Sequence, residues 1–260
     1  MKLLLFVVLN CLIQVSFAQT TDRLPCVDKK FSVVAHIFKD SLGNPGITEA
    51  TINDLMVTVN TDFAPICISF EICEFQYHDN YQYNLHDAPL EWQEIQALYH
   101  VNNRINIYYV AAIEEPSGIC GYAGLGQIAN VFSNGIVIQK SGTCCDLTSK
   151  THSHEIGHYF GLAHTFMDNG TTELVDGANC TTDADGICDT PADPFIKGSS
   201  MALWLDGCRF ISTNLDANGE FYDPLVGNIM SYYPDECGCS FTHNQYDKMA
   251  ETYLNNIGQW

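Results

Sequence analysis

The sequence predicts a mixed α/β (α+β) fold whose second half is rich in loops and held by disulfides. Three observations support this prediction. Strand-like apolar runs alternate with helical periodicity in the first half, a long acidic and glycine-rich stretch follows Phe166, and twelve cysteines occur in 260 residues. We find no internal repeat and no interdomain linker. The chain is long enough for one large domain or two small lobes.

The N-terminus has the features of a secretory signal peptide. Lys2 precedes an apolar stretch, and Ser16, Phe17 and Ala18 form a small-x-small cleavage signal. The uninterrupted apolar run is shorter than the ~20 residues that a membrane-spanning helix needs. We therefore expect a signal peptide (1–18), a short N-terminal segment (19–30) and one folded domain (31–260). The product is expected to be secreted, either extracellular or periplasmic.

The charge balance excludes one class of partner. The chain has 11 Lys and Arg against 31 Asp and Glu, and its formal net charge is −20. Such a surface repels phosphate backbones, so we expect no nucleic-acid partner. No later segment is apolar enough to enter a bilayer, and we expect a monomer without membrane insertion. At this cysteine density in an exported chain, most cysteines should be paired as disulfides.

The elements of the first half follow from their periodicity. Residues 31–38 are β-branched and aromatic and predict a strand, which a turn at 43–46 ends. Residues 47–63 repeat apolar side chains at helical spacing, with Thr48 as the N-cap. Further strands are predicted at 66–75, 104–113 and 134–139. The first half is thus a twisted mixed sheet with helices packed on it.

The second half contains fewer regular elements. The pattern is helical from Ser149 to about His164, and an irregular loop region then reaches about residue 200. Loops of this length are usually functional or tied by ligands or bridges. Asn218 and Gly219 predict a hairpin turn, and residues 242–258 predict a last helix with Thr242 as its N-cap.

A histidine-rich segment, "HSHEIGHYFGLAHTF" at 152–166, carries the chemistry. His154 and His158 lie four residues apart on a helix and share a face, with Glu155 beside them. Gly161 can end the helix and let His164 return as a third ligand. Three neutral imidazoles leave the fourth position of zinc open for water, which is typical of catalytic zinc. Glu155 is then the general base.

The alternative is a capped surface helix that carries these histidines by chance, and five specified positions in register argue against it. His152 would point to a different helix face from His154. We therefore expect His152 to be a surface residue or a neighbour of the metal ligands.

These residues resemble a known group of enzymes. "HEIGHYFGLAH" is similar to HExxHxxGxxH, the signature of metzincin metallopeptidases, and "GNIMSYY" (227–233) resembles their methionine-containing turn. The resemblance implies that Met230 forms an apolar floor beneath the three histidines. It also implies that Tyr232 is a hydrogen-bond donor to the transition state.

The finer resemblance is to the pappalysin (M43, cytophagalysin-like) branch. "LAHTF", "GYAG" (121–124), "DGICDTP" (185–191), "NIMSY" and "CSFTHNQYDKM" are similar to this branch, and the likeness covers roughly 31–258. It implies an upper lobe with a twisted sheet and helices, an active-site helix in a cleft, and a smaller irregular, disulfide-stapled lower lobe.

The same resemblance implies two disulfides and a second metal. It pairs Cys180 with Cys208 and Cys188 with Cys237, although other pairings of these loop cysteines stay open. Members of the branch can bind calcium near this loop, and the candidate ligands are oxygens of acidic loop residues and one threonine: Asp183, Asp185, Asp189 and Thr190. The run lacks the spacing of an EF-hand, and solvated turn aspartates are the alternative.

Two further residues are candidates for control of the site. Asp235 lies where the family places a residue that lines the pocket just after the scissile bond, and a carboxylate there would favour Arg or Lys; the alternative is a rim aspartate. Cys26 could in principle reach the zinc as a thiolate, but we expect it in a disulfide. Cys67 and Cys73 lie six residues apart and should share one side of a strand, each bridging to a neighbouring element.

The sequence thus predicts a secreted zinc metalloendopeptidase with a polypeptide substrate paired to an edge strand near Gly121–Gly124. Two alternatives stay open. One is a secreted binding or toxin module that keeps the fold without cleaving peptides, and the other is a zinc hydrolase acting on a different amide, such as a cell-wall peptide.

Overall fold

The structure is a computed structural model that describes residues 23–115, 118–166 and 172–260. The expected signal peptide, residues 1–18, lies outside these ranges. Within them, no helix combines the length and apolar character that a membrane crossing requires. The helices are α1 (Glu49–Phe63), α2 (Ala88–Tyr99), α3 (Thr151–Tyr159) and α4 (His243–Leu254). The strands are β1 (Lys29–Phe38), β2 (Ile68–His78), β3 (Leu85–Asp87), β4 (Ile105–Val110), β5 (Ala112–Glu115), β6 (Gly121–Ala123), β7 (Ile136–Gln139), β8 (Leu205–Asp206) and β9 (Arg209–Phe210).

The main sheet has five strands in the order β2-β1-β4-β7-β6. The first four strands are parallel, and β6 pairs antiparallel to β7 at the edge. All six residues of β4 are buried, which explains its continuous apolar sequence, since a central parallel strand is covered on both faces. The mixed α/β class is therefore confirmed, and an edge strand is left beside α3.

Helix α1 covers one face of this sheet. Its buried side chains include Ile52, Leu55 and Met56, which recur at helical spacing. The Thr48 side chain accepts a hydrogen bond from the Thr51 backbone N–H, as the N-cap prediction requires. The first half of the chain thus forms the layer on which α3 rests.

Several elements differ from the sequence prediction. Helix α2 was not anticipated, because its apolar pattern is weak and only Ile95 and Gln96 are buried. Helix α3 stops at Tyr159 instead of continuing to about His164, because Gly161 has φ +97°. The predicted hairpin turn at 216–220, by contrast, does form, with the Asp216 N–H donating to the Glu220 carbonyl.

Strand β2 contains a bulge that changes where its cysteines point. Val33 pairs with Ile72 and Val34 with Glu74, so Cys73 is the extra residue. Cys67 lies before the strand, with φ 55°. The expectation that both cysteines share one side of a continuous strand and bridge to neighbours is therefore wrong for Cys73, whose thiol is free.

Four disulfides join the described cysteines: Cys26–Cys67, Cys120–Cys144, Cys180–Cys188 and Cys208–Cys237. The Cys26 disulfide agrees with expectation and takes this sulfur away from any metal. Cys73, Cys145 and Cys239 are free thiols.

The pairings implied for the loop region, Cys180 with Cys208 and Cys188 with Cys237, are wrong. Turn hydrogen bonds from Asp183 N to Asn179 O and from Gly186 N to Asp183 O fold the loop back on itself. These turns bring the Cα atoms of Cys180 and Cys188 to 5.0 Å. Cys208 is then left for Cys237, at a Cα separation of 5.4 Å.

Candidate metal centre and active-site cleft

The start of α3 is fixed by two carboxylates. The Lys150 N–H donates to Asp235 Oδ2 at 3.0 Å, and Lys150 Nζ pairs with Asp62 at 2.9 Å. The Ser153 hydroxyl donates to the same Asp62 at 2.6 Å. Because all nine residues of α3 are buried, these contacts satisfy polar groups that would otherwise be costly inside the protein.

The three predicted histidine ligands converge on one point. His154 and His158 project from the same face of α3, and the chain reverses at Gly161 so that His164 faces them. Nε2 of His164 lies 3.1 Å from Nε2 of His154 and 3.0 Å from Nε2 of His158. Within the described residues, these histidines are the group of three or more ligand atoms close enough to share one metal ion.

Backbone carbonyls fix the orientation of two imidazoles. Nδ1 of His154 lies 2.7 Å from the Ile229 carbonyl oxygen, and Nδ1 of His158 lies 2.6 Å from the Leu162 carbonyl oxygen. A carbonyl only accepts, so each Nδ1 carries the proton and donates it. The Nε2 lone pairs are thereby left facing the central point, which is the arrangement of metal-bound histidines.

The geometry and charge of this group fit zinc. A tetrahedral ion with Zn–N bonds of about 2.0–2.1 Å holds its nitrogens about 3.3 Å apart, within a few tenths of an ångström of the separations found here. Burial lowers the pKa of His154 well below its usual value and that of His164 to about 3. Both imidazoles are therefore neutral, and three neutral lone pairs at this distance repel one another unless a cation lies between them.

Glu155 lies beside these nitrogens in the same cleft. Its side chain is 5% exposed, and its Oε2 has no hydrogen-bond partner within the described part of the chain. Burial raises the pKa of the Glu155 carboxyl to about 8, although a backbone hydrogen bond from Ala123 lowers it. In its ionised form, which a cation held by the neighbouring histidines would favour, this carboxylate can take a proton from a water molecule in the cleft.

Met230 packs beneath α3. It is fully buried, and its sulfur lies only 2.5 Å from the position that a Cβ on residue 157 would take if Gly157 had a side chain. The turn that contains it is held to the metal centre twice, because Ile229 accepts from His154 and Met230 O accepts from Thr165 N at 3.3 Å. Glycine inside the helix is thus what lets this turn approach the backbone so closely.

Two neighbouring cavities of about 440 and 460 Å³ flank the histidines. Glu155, Gly121, Ile119, Lys197 and Tyr232 line both. The Tyr232 ring lies 4.6 Å from the His164 ring, and Lys197 Nζ stands 5.5 Å from the centre of the Tyr232 ring. The structure therefore brings Tyr232 together with the three histidines and Glu155.

Asp235 lines the first of these cavities. One of its oxygens is occupied by the Lys150 N–H. Asp235 therefore lies partly buried at the cleft and holds the residue that precedes α3, while its role in substrate selectivity stays a prediction.

The candidate calcium ligands are only partly brought together. Both oxygens of Asp189 accept hydrogen bonds from the start of α4, from the Thr242 hydroxyl and the Asn244 N–H, each at 2.8 Å. Asp185 Oδ2 and Thr190 Oγ1 are buried. Burial raises the pKa of Asp185 to about 7, and hydrogen bonds from the Ile187 N–H and from the Thr190 and Gln245 side chains oppose that rise. Asp183 accepts from Thr182 at 2.7 Å.

Glu173 was not anticipated near these residues. Its Oε2 is buried without a hydrogen-bond partner in the described ranges. Burial, followed by the charges of Asp185, Asp183 and Asp193, raises the pKa of Glu173 to about 7. Nothing in the sequence marks it, because it lies in the loop region at no fixed spacing from the aspartates.

His152 is neither at the surface nor at the metal centre. It is buried, and its Nε2 lies 3.0 Å from the Tyr109 hydroxyl of β4. It therefore anchors α3 to the sheet. Lys197 was also missed, although Lys197, Arg209 and Lys248 are the three cationic residues that follow the histidine motif, and a scarce cation in an acidic loop is a usable signal.

Comparison with known proteins agrees with this geometry. Residues 49–165 match the family described as Metallo-peptidase family M12B Reprolysin-like. A protein of Colletotrichum graminicola named extracellular metalloprotease is 29% identical over 227 residues, covering 84% of this chain and 72% of that protein. A Pyricularia oryzae protein of the same name is 28% identical over 240 residues, covering 87% and 74%.

The chain also has a weak similarity to a solved structure. Metalloproteinase-II from Bacteroides fragilis aligns with a TM-score of 0.38 and 16% sequence identity. The alignment covers 54% of this chain and 44% of that chain.

The sequence matches all point to metalloproteases. Most of its length is similar to proteins named extracellular metalloproteases, and its central residues 49–165 are similar to a reprolysin-like metallopeptidase domain.

Proposed function

We propose that this chain is a secreted zinc-dependent metalloendopeptidase with a polypeptide substrate, active outside the cell. The observation that supports it best is the convergence of three imidazole Nε2 atoms at 3.0–3.1 Å beside the buried Glu155. The names of the relatives give the same class and an extracellular location. Within that class we propose the pappalysin (M43) branch of the metzincins, with its two lobes, on the motifs "LAHTF", "DGICDTP" and "NIMSY".

His154, His158 and His164 would hold the zinc ion. When bound, zinc supplies Lewis-acid catalysis by polarising the scissile carbonyl and acidifying water. Glu155 takes a proton from the attacking water and passes it to the leaving amine. The Tyr232 hydroxyl donates a hydrogen bond to the developing oxyanion, a role that suits its place between the histidines and the cleft.

The substrate lies extended along the edge strand β6. Among the described strands, β6 is paired on one side, with β7, and its residues line the cavity beside the histidines. Main-chain hydrogen bonds to such an edge hold a peptide without regard to its sequence. Selectivity then comes from the cavities, where the Asp235 carboxylate favours Arg or Lys just after the scissile bond.

The test is cleavage of a quenched peptide library by the purified mature chain. Wild type is compared with Glu155→Gln, which keeps the shape of the side chain, and with Glu49→Gln, an exposed position on α1, as the matched control. We expect cleavage by wild type and Glu49→Gln. Cleavage should be lost in Glu155→Gln and after zinc chelation, and re-added zinc should restore the chelated wild type.

Other outcomes would reject the proposal in distinct ways. Equal cleavage by wild type and Glu155→Gln removes the general base. Stoichiometric zinc binding without cleavage of any peptide, while cell-wall peptides are hydrolysed, assigns a different amide substrate. Cut positions that do not change in Asp235→Asn remove the proposed preference for basic residues.

We propose calcium binding in the loop region as a second function. The supporting observation is that the buried Glu173 Oε2 has no hydrogen-bond partner in the described part of the chain, while the carboxylates of Asp185 and Asp183 lie near enough to raise the pKa of Glu173; hard oxygen ligands of this kind suit calcium. Calcium should raise the melting temperature of wild type and leave that of Asp185→Asn unchanged. Equal shifts in both proteins, or none in wild type, would refute the site.

A further inference from the structure

Asp193 is a buried carboxylate that no sequence motif marks. Its side chain is 6% exposed. Its Oδ2 accepts hydrogen bonds from the Thr165 hydroxyl at 2.8 Å and the Ser231 hydroxyl at 2.9 Å. Its Oδ1 accepts from the Tyr233 hydroxyl at 2.9 Å and the Phe195 N–H at 3.1 Å. One side chain therefore joins three separate stretches of the chain.

Two of those stretches carry residues of the metal centre. Thr165 directly follows His164, whereas Ser231 lies between Met230 and Tyr232. His164 comes after α3 has ended, so no helix fixes its position. A backbone hydrogen bond from the Thr165 N–H to Met230 O also links the two stretches, and it is long at 3.3 Å.

The third stretch is the wall of the cleft. The Asp193 bond to the Phe195 N–H turns the chain so that Phe195 packs on Phe166 and Tyr233, at ring-centre distances of 5.2 and 5.6 Å. Phe166 in turn stacks on His164 at 4.8 Å and 9°. The ring of the third histidine is thus held by a cluster whose polar centre is Asp193.

We propose that Asp193 is a positioning residue that sets His164 and Tyr232 relative to the two histidines of α3. It does so through the Thr165 and Ser231 hydroxyls, one on each stretch, which share its Oδ2. This inference rests on the proposed zinc peptidase function, and it adds a residue that never touches metal or substrate. Such outer partners commonly change metal affinity by about 10–100-fold when removed.

Asp216 offers a matched control. It is also a buried aspartate outside the helices and strands, and it accepts hydrogen bonds from the Val175, Asn218 and Glu220 N–H groups. None of these partners adjoins a histidine ligand or Tyr232 in sequence. Its removal should therefore cost stability without affecting the metal.

The experiment measures the Zn²⁺ affinity of the mature chain by competition with a chromophoric chelator, together with the absorption spectrum of the Co²⁺-loaded protein. We compare wild type, Asp193→Ala, Asp193→Asn and Asp216→Ala. Asp193→Ala should bind Zn²⁺ about 10–100-fold more weakly, with an altered Co²⁺ spectrum. Asp193→Asn should lose less, because its amide keeps the shape and the Thr165 and Ser231 hydroxyls can accept from it.

Asp216→Ala should lower the melting temperature yet leave Zn²⁺ affinity within about twofold of wild type. The inference is overturned if Asp193→Ala binds Zn²⁺ as wild type does, or if Asp216→Ala weakens binding equally. If Asp193→Ala does not fold, Asp193→Asn and Thr165→Val serve as the test instead, because both variants preserve side-chain shape. Wild-type Zn²⁺ affinity in both of these variants overturns the inference. Zinc affinity is measured without any cleavage assay, so a failure of this inference can be distinguished from a failure of the peptidase proposal.

Discussion

Gly157 packs closely against Met230 beneath the metal centre, and the sign of the stability change in Gly157→Ala tests that packing. In an exposed helix, replacing glycine by alanine gains about 1 kcal/mol. Here the new Cβ would lie 2.5 Å from Met230 Sδ, whereas such atoms normally lie about 3.5–4.0 Å apart. Relieving that overlap in a fully buried site costs about 1–3 kcal/mol.

The net expectation is destabilisation by about 0–2 kcal/mol, or a fall in melting temperature of up to about 8 °C for a domain of this size. Zinc affinity should fall as well, since a shifted Met230 turn moves the Ile229 carbonyl that orients His154. The measurement is thermal unfolding with and without zinc, in wild-type and Met230→Ala backgrounds. Without the Met230 sulfur, Gly157→Ala should instead stabilise by about 1 kcal/mol. A rise in melting temperature in the wild-type background would refute the packing argument.

Three further predictions concern other parts of the molecule. Burial lowers the pKa of His36 to about 4 from about 6.5 in the unfolded chain, so stability is highest above pH 6.5 and up to about 3 kcal/mol is lost as the pH falls to 4. His36→Gln should flatten this part of the pH–stability curve in urea titrations. An unchanged slope would show that His36 does not cause the loss. Thr242→Ala removes the cap of α4 and the bond to Asp189, which should cost about 1 kcal/mol and about 2–4 °C of melting temperature, with no loss meaning that the cap is dispensable. Tyr232→Phe should lower kcat about a hundredfold at similar zinc occupancy, and unchanged turnover would remove its proposed role.

The elements whose apolar residues recur at the spacing of a helix or strand were predictable from sequence. Strand β4 and helix α1 bury continuous or helically spaced apolar residues, and Thr48 and Thr242 sit at helix starts where a hydroxyl caps free N–H groups. Helix α2 was not predictable in this way, because it lies half exposed on the sheet and few of its residues need to be apolar.

The residues of the candidate site likewise fall into predictable and unpredictable groups. His154, Glu155 and His158 are placed by the geometry of one helix, so their spacing alone brings them together. Asp193 and Glu173 come from the loop region, where only the folded path of the chain decides which side chains meet. The cysteine pairing failed for that reason too, since turns that no period describes bring Cys180 next to Cys188.

The disulfides have a simple order along the chain. The four bridges span 26–67, 120–144, 180–188 and 208–237, so none is nested in another and none crosses another. Each free thiol among the described residues follows the nearest closed pair, since 73 comes after 67, 145 after 144 and 239 after 237.

This order matters while the protein is being made. A chain that emerges from its N-terminus exposes both partners of each bridge before the next pair or the adjacent extra thiol is available. Oxidation during synthesis can therefore reach the native pairing step by step, without isomerisation. A fully reduced chain refolded all at once faces competing thiols at every step, and its yield should depend far more on thiol–disulfide exchange.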